Sequence, residues 1–111
     1  MMMKLDAVEI RQVVEPFLVS VGLPTRRLEV RPYDEPPFDD MAVVKITFPR
    51  ADFSDRVLQL AVSRAEASLS RALESDIWAD YWDADLPIGE IPTGHALLQF
   101  DGFPFVLRQA Q

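Results

Sequence analysis

A long run without proline or glycine, residues 52–82, is the feature that most restricts the fold of this chain. Apolar residues recur along it every three or four positions, which places them on one side of an α-helix. Asp52 or Ser54 can cap its first turn. A sheet or another helix must cover so long a stripe, so the run predicts one core helix that continues to Trp82. The stripe consists of Leu58, Val62, Ala65, Leu69, Leu73 and Ile77.

A second helix is predicted over residues 6–22, where the apolar positions again follow helical spacing. Asp6 and Glu9 have the spacing of a capping box, in which each side chain accepts a hydrogen bond from the other residue's amide. Pro16 lies inside the run and removes an amide donor, at a cost of about 3 kcal/mol. We therefore expect a kink in the preceding turn or two short helices. Alternatively, the helix begins near Glu15.

Two stretches of alternating apolar residues, 27–33 and 41–48, predict half-buried β-strands. The segment between them is rich in proline and acidic residues, which is typical of a loop. We expect the two strands to form an antiparallel hairpin with a long connection. The even-numbered residues of the second strand should face the core.

Asp101 and Gly102 separate two further apolar runs, and this dipeptide is typical of a two-residue hairpin turn that needs positive φ. The turn would pair Phe100 with Phe103 and direct both rings into the core. Pro104 has no amide to offer a further neighbour, so the strand after the turn is predicted to lie at an edge of the sheet.

The element order is helix, strand, strand, helix, strand, strand. It predicts a single α+β domain over residues 1–111, in two layers, with two helices on one face of a four-stranded antiparallel sheet. The opposite face of the sheet would be more exposed. Leu97 and Val106, with Val43, are expected there as a second candidate surface, for contact with a partner or a second copy of the chain.

The net charge of −7 is unevenly distributed along the chain. Residues 1–50 hold eight acidic and seven basic residues, whereas residues 51–111 hold ten acidic and four basic ones. This charge disfavours direct binding to nucleic acid or to an anionic membrane and favours a basic protein partner. The first ten residues lack the apolar core of a signal peptide, and there is no cysteine, so we expect a cytoplasmic protein.

Catalytic and metal-binding motifs are not evident in the sequence. His95 is the single histidine and has no nucleophile or carboxylate partner in motif form. Asp76 and Asp80 would share a helix face, followed by Asp83 and Asp85, and oxygen ligands of this kind can hold Mg²⁺ or Ca²⁺. The spacing does not match a calcium-binding loop, and a solvated acidic face is the simpler interpretation. We expect no enzyme activity, no cofactor and no metal.

Large aromatic residues interleave with these acids, and both tryptophans of the chain occur here. If the long helix persists, Trp78, Tyr81 and Trp82 lie on one of its faces. Tryptophan and tyrosine are enriched at binding hot spots, although the rings could instead close one end of the core. The predicted partner-binding surface consists of Trp78, Asp80, Tyr81, Trp82, Asp83 and Asp85.

In its length, acidity and helix–hairpin order the chain resembles small bacterial proteins that bind and neutralise others, such as immunity proteins, antitoxins and inhibitors. It also resembles acidic secretion chaperones. These are similarities of type and not of motif. The first hypothesis is therefore a small acidic module that binds or neutralises a more basic protein. The second is a homodimeric chaperone or assembly factor, and the third is an enzyme that uses carboxylates or a divalent metal.

Overall fold

The computed structural model of the protein describes residues 4–33, 40–83 and 91–106. Its strands form one antiparallel sheet in the order β1-β2-β4-β3. The predicted α+β class and the order of helices and strands are confirmed. The elements are α1 (Ala7–Ser20), β1 (Leu28–Pro32), β2 (Met41–Pro49), α2 (Asp55–Leu73), β3 (Trp78–Asp83) and β4 (His95–Pro104), with a 3-10 helix (Arg50–Asp52) before α2.

Both helices pack on one face of the sheet, and that interface is the core. Alternate residues of β2 face the helices, and Val44 and Ile46 are fully buried there. Val43 and Leu97 are also buried, but they do not belong to this cluster. Because side chains alternate along a strand, Val43 and Leu97 lie on the side of the sheet that the helices do not cover, here called the outer face.

Helix α1 begins as its sequence predicts. Asp6 Oδ1 accepts a hydrogen bond from the Glu9 amide at 2.9 Å, and the Asp6 amide donates to Glu9 Oε1 at 3.1 Å, which completes the capping box. The helix runs unbroken through Pro16, so the predictions of two short helices and of a start near Glu15 are wrong. Pro16 and Gln12, whose carbonyl loses its helical donor, are exposed, and water can satisfy that carbonyl.

Helix α2 starts at the predicted cap, where Ser54 accepts a hydrogen bond from the Val57 amide, but it ends at Leu73. The predicted continuation to Trp82 is wrong. Glu74 adopts the left-handed conformation, with φ of 49°, and stops the helix. Ser70 Oγ then accepts from the Ile77 amide at 3.0 Å and donates to the Ile77 carbonyl at 3.2 Å, which attaches the start of β3 to the last turns of the helix.

The predicted hairpin turn at Asp101 and Gly102 is also wrong, because β4 passes straight through both residues. Val43 of β2 lies opposite Asp101, and the next residue, Ala42, lies opposite Phe103. Gly102 is therefore the extra residue of a β-bulge. The bulge shifts the alternation by one, so the rings of Phe100 and Phe103, three positions apart, both face the core and are fully buried.

Strand β4 lies between β2 and β3, so its residues 96–101 have a strand on both sides. The pairing of β3 with β4 ends at Asp101, opposite Trp78. The prediction of an edge over residues 103–108 therefore agrees with Phe103 and Pro104, which pair with β2 but not with β3. Beyond that point the Leu5 amide donates to the Pro104 carbonyl at 3.1 Å. The Pro104 nitrogen, which carries no hydrogen, therefore faces the side of β4 on which no strand of the described sheet pairs with it.

Candidate functional site

Strand β3 carries most of the predicted binding residues, and it divides them between two faces. Trp78, Asp80 and Trp82 alternate along the strand and point to the outer face, whereas Tyr81 points to the helix side. The predicted grouping of the three rings on one helix face is therefore wrong. Trp78 is 45% exposed and Tyr81 is 38% exposed, while Trp82 is half-buried. The rings of Trp78 and Tyr81 accordingly remain accessible at the surface.

Two further predicted residues follow them in the chain. The Asp83 backbone is the last of β3 and pairs with Ala96, while its side chain is outside the described part of the structure. Asp85 lies in the segment 84–90, which is outside the described residues altogether.

Tyr81 borders a groove of about 350 Å³ between β3 and α2. Leu58 and Val62 of α2 contribute an apolar wall, and Glu66 contributes a carboxylate. Glu66 Oε2 accepts from the Ala79 amide at 2.9 Å on the side of β3 that faces away from β4. Because an unpaired strand edge invites association with other strands, this bond protects part of the edge of β3.

Asp101 is a carboxylate buried on the outer face, with 3% of its surface exposed. Its Oδ1 accepts hydrogen bonds from the Tyr33 hydroxyl at 2.5 Å and from Gln99 Nε2 at 2.8 Å. Its Oδ2 is buried and receives no hydrogen bond from an N–H group or a hydroxyl of the described residues. Burying a carboxylate without a full set of donors costs free energy.

The sheet register places the β3 residues directly beside this carboxylate. Trp78 lies opposite Asp101, and Asp80 lies opposite Gln99 on the same face. The Trp78 ring also packs on the bulge, since a Cβ built at Gly102 would be 3.3 Å from its Cζ3. These side chains are called the outer-face cluster, which consists of Tyr33, Trp78, Asp80, Trp82, Gln99 and Asp101.

Electrostatics within the outer-face cluster favour a proton on Asp80. Partial desolvation raises the pKa of Asp80, and the hydrogen bond and charge of Asp101 raise it further, with a smaller contribution from Glu66. The pKa of Tyr33 is also raised, first by burial and then by Asp101, so its hydroxyl stays a neutral donor at physiological pH. Two carboxyl groups thus share one small region of the sheet face.

We expect Asp80→Asn to raise the melting temperature at pH 7. A carboxyl whose pKa is raised by folding binds its proton more tightly in the folded state, so its stabilising effect is lost as the pH rises through that pKa. The neutral amide avoids this loss and can donate to Asp101, so the gain should shrink as the pH is lowered toward the unfolded pKa of aspartate. Thermal unfolding from pH 4 to pH 8 measures this difference.

Asp76→Asn is the matched control for this prediction, because Asp76 is exposed on the preceding segment and loses the same charge. If both variants shift the melting temperature equally at every pH, the effect is one of net charge, and coupling of Asp80 to Asp101 is contradicted.

The second predicted surface is not assembled as expected. Leu97 lies on the outer face, but it is only 6% exposed and sits opposite Trp82. Val106 follows the end of β4, and its amide donates to the Leu5 carbonyl at 3.0 Å. Without a hairpin, Leu97 and Val106 are not cross-strand neighbours and do not form one exposed patch.

The described residues offer little other chemistry. His95 Nδ1 lies 3.1 Å from the Thr93 carbonyl, a local contact at the start of β4. Within the described part of the chain, no three histidine, cysteine or acidic residues come together in a way that could hold a metal ion. Asp101, Tyr33 and Gln99 are the residues that sequence reasoning missed, because the sequence predicted Asp101 to be a turn residue.

Comparison of the chain with protein-family models, with curated proteins and with solved structures finds no match. Among the described helices, none has the length and apolarity that crossing a lipid bilayer requires.

Proposed function

We propose that this protein is an acidic binding module that binds or neutralises a more basic protein through the outward side of β3. The observation that carries the proposal is the pairing of exposed Trp78 with exposed Asp80 on the same face of a strand at the edge of the sheet. A large ring that keeps a polar handle and a charge beside it are the typical components of a binding hot spot.

The charge around β3 supports a basic partner. Glu74, Asp76 and Asp80 are all exposed, and the sequence contains no lysine or arginine between Arg71 and Arg108. Opposite charge accelerates encounter with a basic protein, while the aromatic rings supply most of the affinity. The same charge disfavours nucleic acid and anionic membranes, since both require a basic footprint.

A module of this kind suits an immunity, antitoxin or inhibitor role, in which a small acidic protein occupies the working surface of a basic one. The alternative of a homodimeric chaperone depended on Leu97 and Val106 forming an exposed patch. Leu97 is buried and Val106 lies apart from it, so the described residues do not support this alternative.

Charge reversal at the acidic residues of β3 and at Asp85, which follows β3 in the sequence, tests the proposal. Proteins from the source cells that bind the immobilised wild-type chain are first identified and then produced in pure form. We expect the Asp80→Lys, Asp83→Lys and Asp85→Lys variant to bind such a purified partner at least roughly tenfold more weakly, with a reduced dependence on salt. Isothermal titration calorimetry at two salt concentrations gives both quantities.

Asp52→Lys serves as the control, because Asp52 is an exposed aspartate on the 3-10 helix. This variant should leave the affinity within about twofold of the wild-type value, since a charge outside the interface acts only at long range. A triple variant that binds with unchanged affinity and unchanged salt dependence would contradict the proposal.

A further inference from the structure

We propose that the groove between α2 and β3 binds one lysine side chain of the basic partner, with its aliphatic stem on Leu58 and Val62 and its ammonium group at Glu66. This inference rests on the proposed function and adds the chemistry by which the partner is recognised. The groove lies on the helix side of the strand that presents Trp78 and Asp80 on its outer face. The partner therefore contacts both sides of β3.

The groove is a formed cavity at one edge of the sheet. Its volume of about 350 Å³ lies at the lower end of the range for pockets that enclose a ligand. The α2 residues that line it recur three and four positions apart, so they form a single face of the helix, and Tyr81 of β3 lies opposite them. Strand β3 is the last in the sheet order, so no strand of the described sheet covers this side.

The apolar part of the groove fits the stem of a lysine. Leu58 is buried and Val62 is half-buried, while Tyr81 on the other side is 38% exposed. Leu58, Val62 and Glu66 follow one another at intervals of four residues, a rise of about 6 Å each along the helix. Lysine packs its methylene groups on apolar surface and keeps its charged end near water. A stem that lies along α2 therefore contacts Val62 while its ammonium group reaches Glu66.

Glu66 supplies the negative charge. Its Oε2 accepts the Ala79 amide at 2.9 Å, which fixes the position of the carboxylate beside β3. Its Oε1 has no hydrogen bond with a described residue and is not among the buried atoms that lack a partner, so solvent reaches it. Within the described ranges, Glu66 also forms no ion pair. Its charge is therefore available to a cation from outside.

The other residues of the groove leave that charge uncompensated. Asp55, at the opposite end of the lining face of α2, is bound by Arg50. None of the described residues that line the groove is basic. A basic side chain is therefore attracted to Glu66 without having to replace a cation of the protein itself.

The single open oxygen favours lysine over arginine. A guanidinium typically donates two parallel hydrogen bonds to both oxygens of a carboxylate. At Glu66 this arrangement requires breaking the bond to the Ala79 amide, which leaves an unpaired donor at the edge of the sheet. The ammonium group of lysine is a compact charge that needs only one oxygen, and it can also lie against the ring of Tyr81.

A heteronuclear NMR titration tests the inference, because it detects the weak binding expected of a single side chain. The probe is the blocked peptide Gly-Gly-Lys-Gly-Gly, and its controls carry norleucine or arginine in place of lysine. Norleucine keeps the aliphatic stem and removes the ammonium group. We expect saturable shifts in the amide signals of Ser63, Glu66 and Ala79 with the lysine peptide, weaker binding of the arginine peptide and no saturable response to norleucine.

Two variants with matched controls locate the site. Glu66→Gln keeps an acceptor for the Ala79 amide but removes the charge, so it should weaken binding of the lysine peptide by at least roughly tenfold. Glu74→Gln carries the same change of charge at an exposed residue beyond the end of α2 and should stay within about twofold of the wild type. Ser63→Lys places a cation in the groove from an exposed position and should abolish binding, whereas Ala72→Lys, exposed outside the groove, should not. Circular dichroism confirms that each variant is folded before titration.

No saturable response to the lysine peptide, or equal responses to the lysine and norleucine peptides, would overturn the inference. Stronger binding of the arginine peptide would also overturn it, because the single open oxygen would not then decide the specificity. The proposed function fails separately: a purified partner whose affinity is insensitive to reversal of Asp80, Asp83 and Asp85 refutes the module, even if lysine peptides bind in the groove. Conversely, a partner that depends on those acids while no lysine peptide binds refutes only the groove as a lysine site.

Discussion

Gly102→Ala should lower the free energy of unfolding by about 3 kcal/mol or more, the largest loss expected from adding a single methyl group to this chain. A Cβ at this position would lie 2.2 Å from the Asp76 carbonyl oxygen, which is backbone and cannot rotate away. The residue also has φ of +104°, a conformation that alanine adopts only under strain. Steric overlap and backbone strain therefore act together at the bulge.

Urea unfolding followed by far-ultraviolet circular dichroism measures this loss, and Gly94→Ala is its control. Gly94 has φ of +77°, but a Cβ there would meet no atom within 4 Å. Its substitution isolates the backbone strain and should cost about 1–2 kcal/mol. If the two variants lose the same stability, the close approach of Asp76 to the bulge is contradicted.

The bulge also shows why the sequence pointed to a hairpin. An Asp-Gly pair between apolar runs indicates that the chain needs positive φ at the glycine, and the structure confirms this conformation at Gly102. A two-residue turn and a β-bulge both place a residue in this positive-φ conformation. Sequence spacing does not distinguish them, because either arrangement directs Phe100 and Phe103 to the same side. The core face was therefore predictable, whereas the path of the chain depended on which strands were present to pair with β4.

The predicted position of the boundary between α2 and β3 was wrong for a different reason. The spacing of Trp78, Tyr81 and Trp82 fits a helix, but these residues also favour strands, where large rings pack well on a pleated surface. Helices commonly stop at a glycine in the left-handed conformation, and here Glu74 takes that position without such a signal. The Ile77 amide donates to Ser70 Oγ across this boundary, a contact that the spacing of apolar residues does not predict.

The candidate site was predictable only where its residues lie close together in the sequence. Acidity and aromatic content pointed to Trp78 and Asp80, and both are exposed on the outer face. Tyr33 and Asp101 are 68 residues apart and meet because β1 and β4 flank β2 in one sheet. A usable signal was present, since an aspartate within a strongly apolar run is expensive to bury unless neighbouring side chains hold it.

Phe103→Ala should cost about 3–5 kcal/mol, the second large effect expected. Its ring is fully buried in the core, and it faces inward only because the bulge shifts the alternation of β4. Removing the ring leaves a cavity between the sheet and the helices, which costs the transfer free energy of the lost atoms and the contacts around them. Denaturant unfolding measures the loss, and Phe103→Leu should lose only about 1–2 kcal/mol if the variant with alanine proves too unstable to study.

Tyr81→Ala provides the contrasting aromatic deletion. Tyr81 lies on the same side of the sheet as Phe103, but at the edge strand and with 38% of its surface exposed, so its loss should cost about 1 kcal/mol or less. The two deletions separate the aromatic residues that build the fold from those that remain available for binding. Comparable losses of stability at both positions would show that Tyr81 is part of the core. Its ring would then not be an accessible side of the groove between α2 and β3. A large loss at Phe103 alone would instead show that the Tyr81 ring contributes little to the stability of the fold, which is the condition under which binding is the better explanation for its exposure.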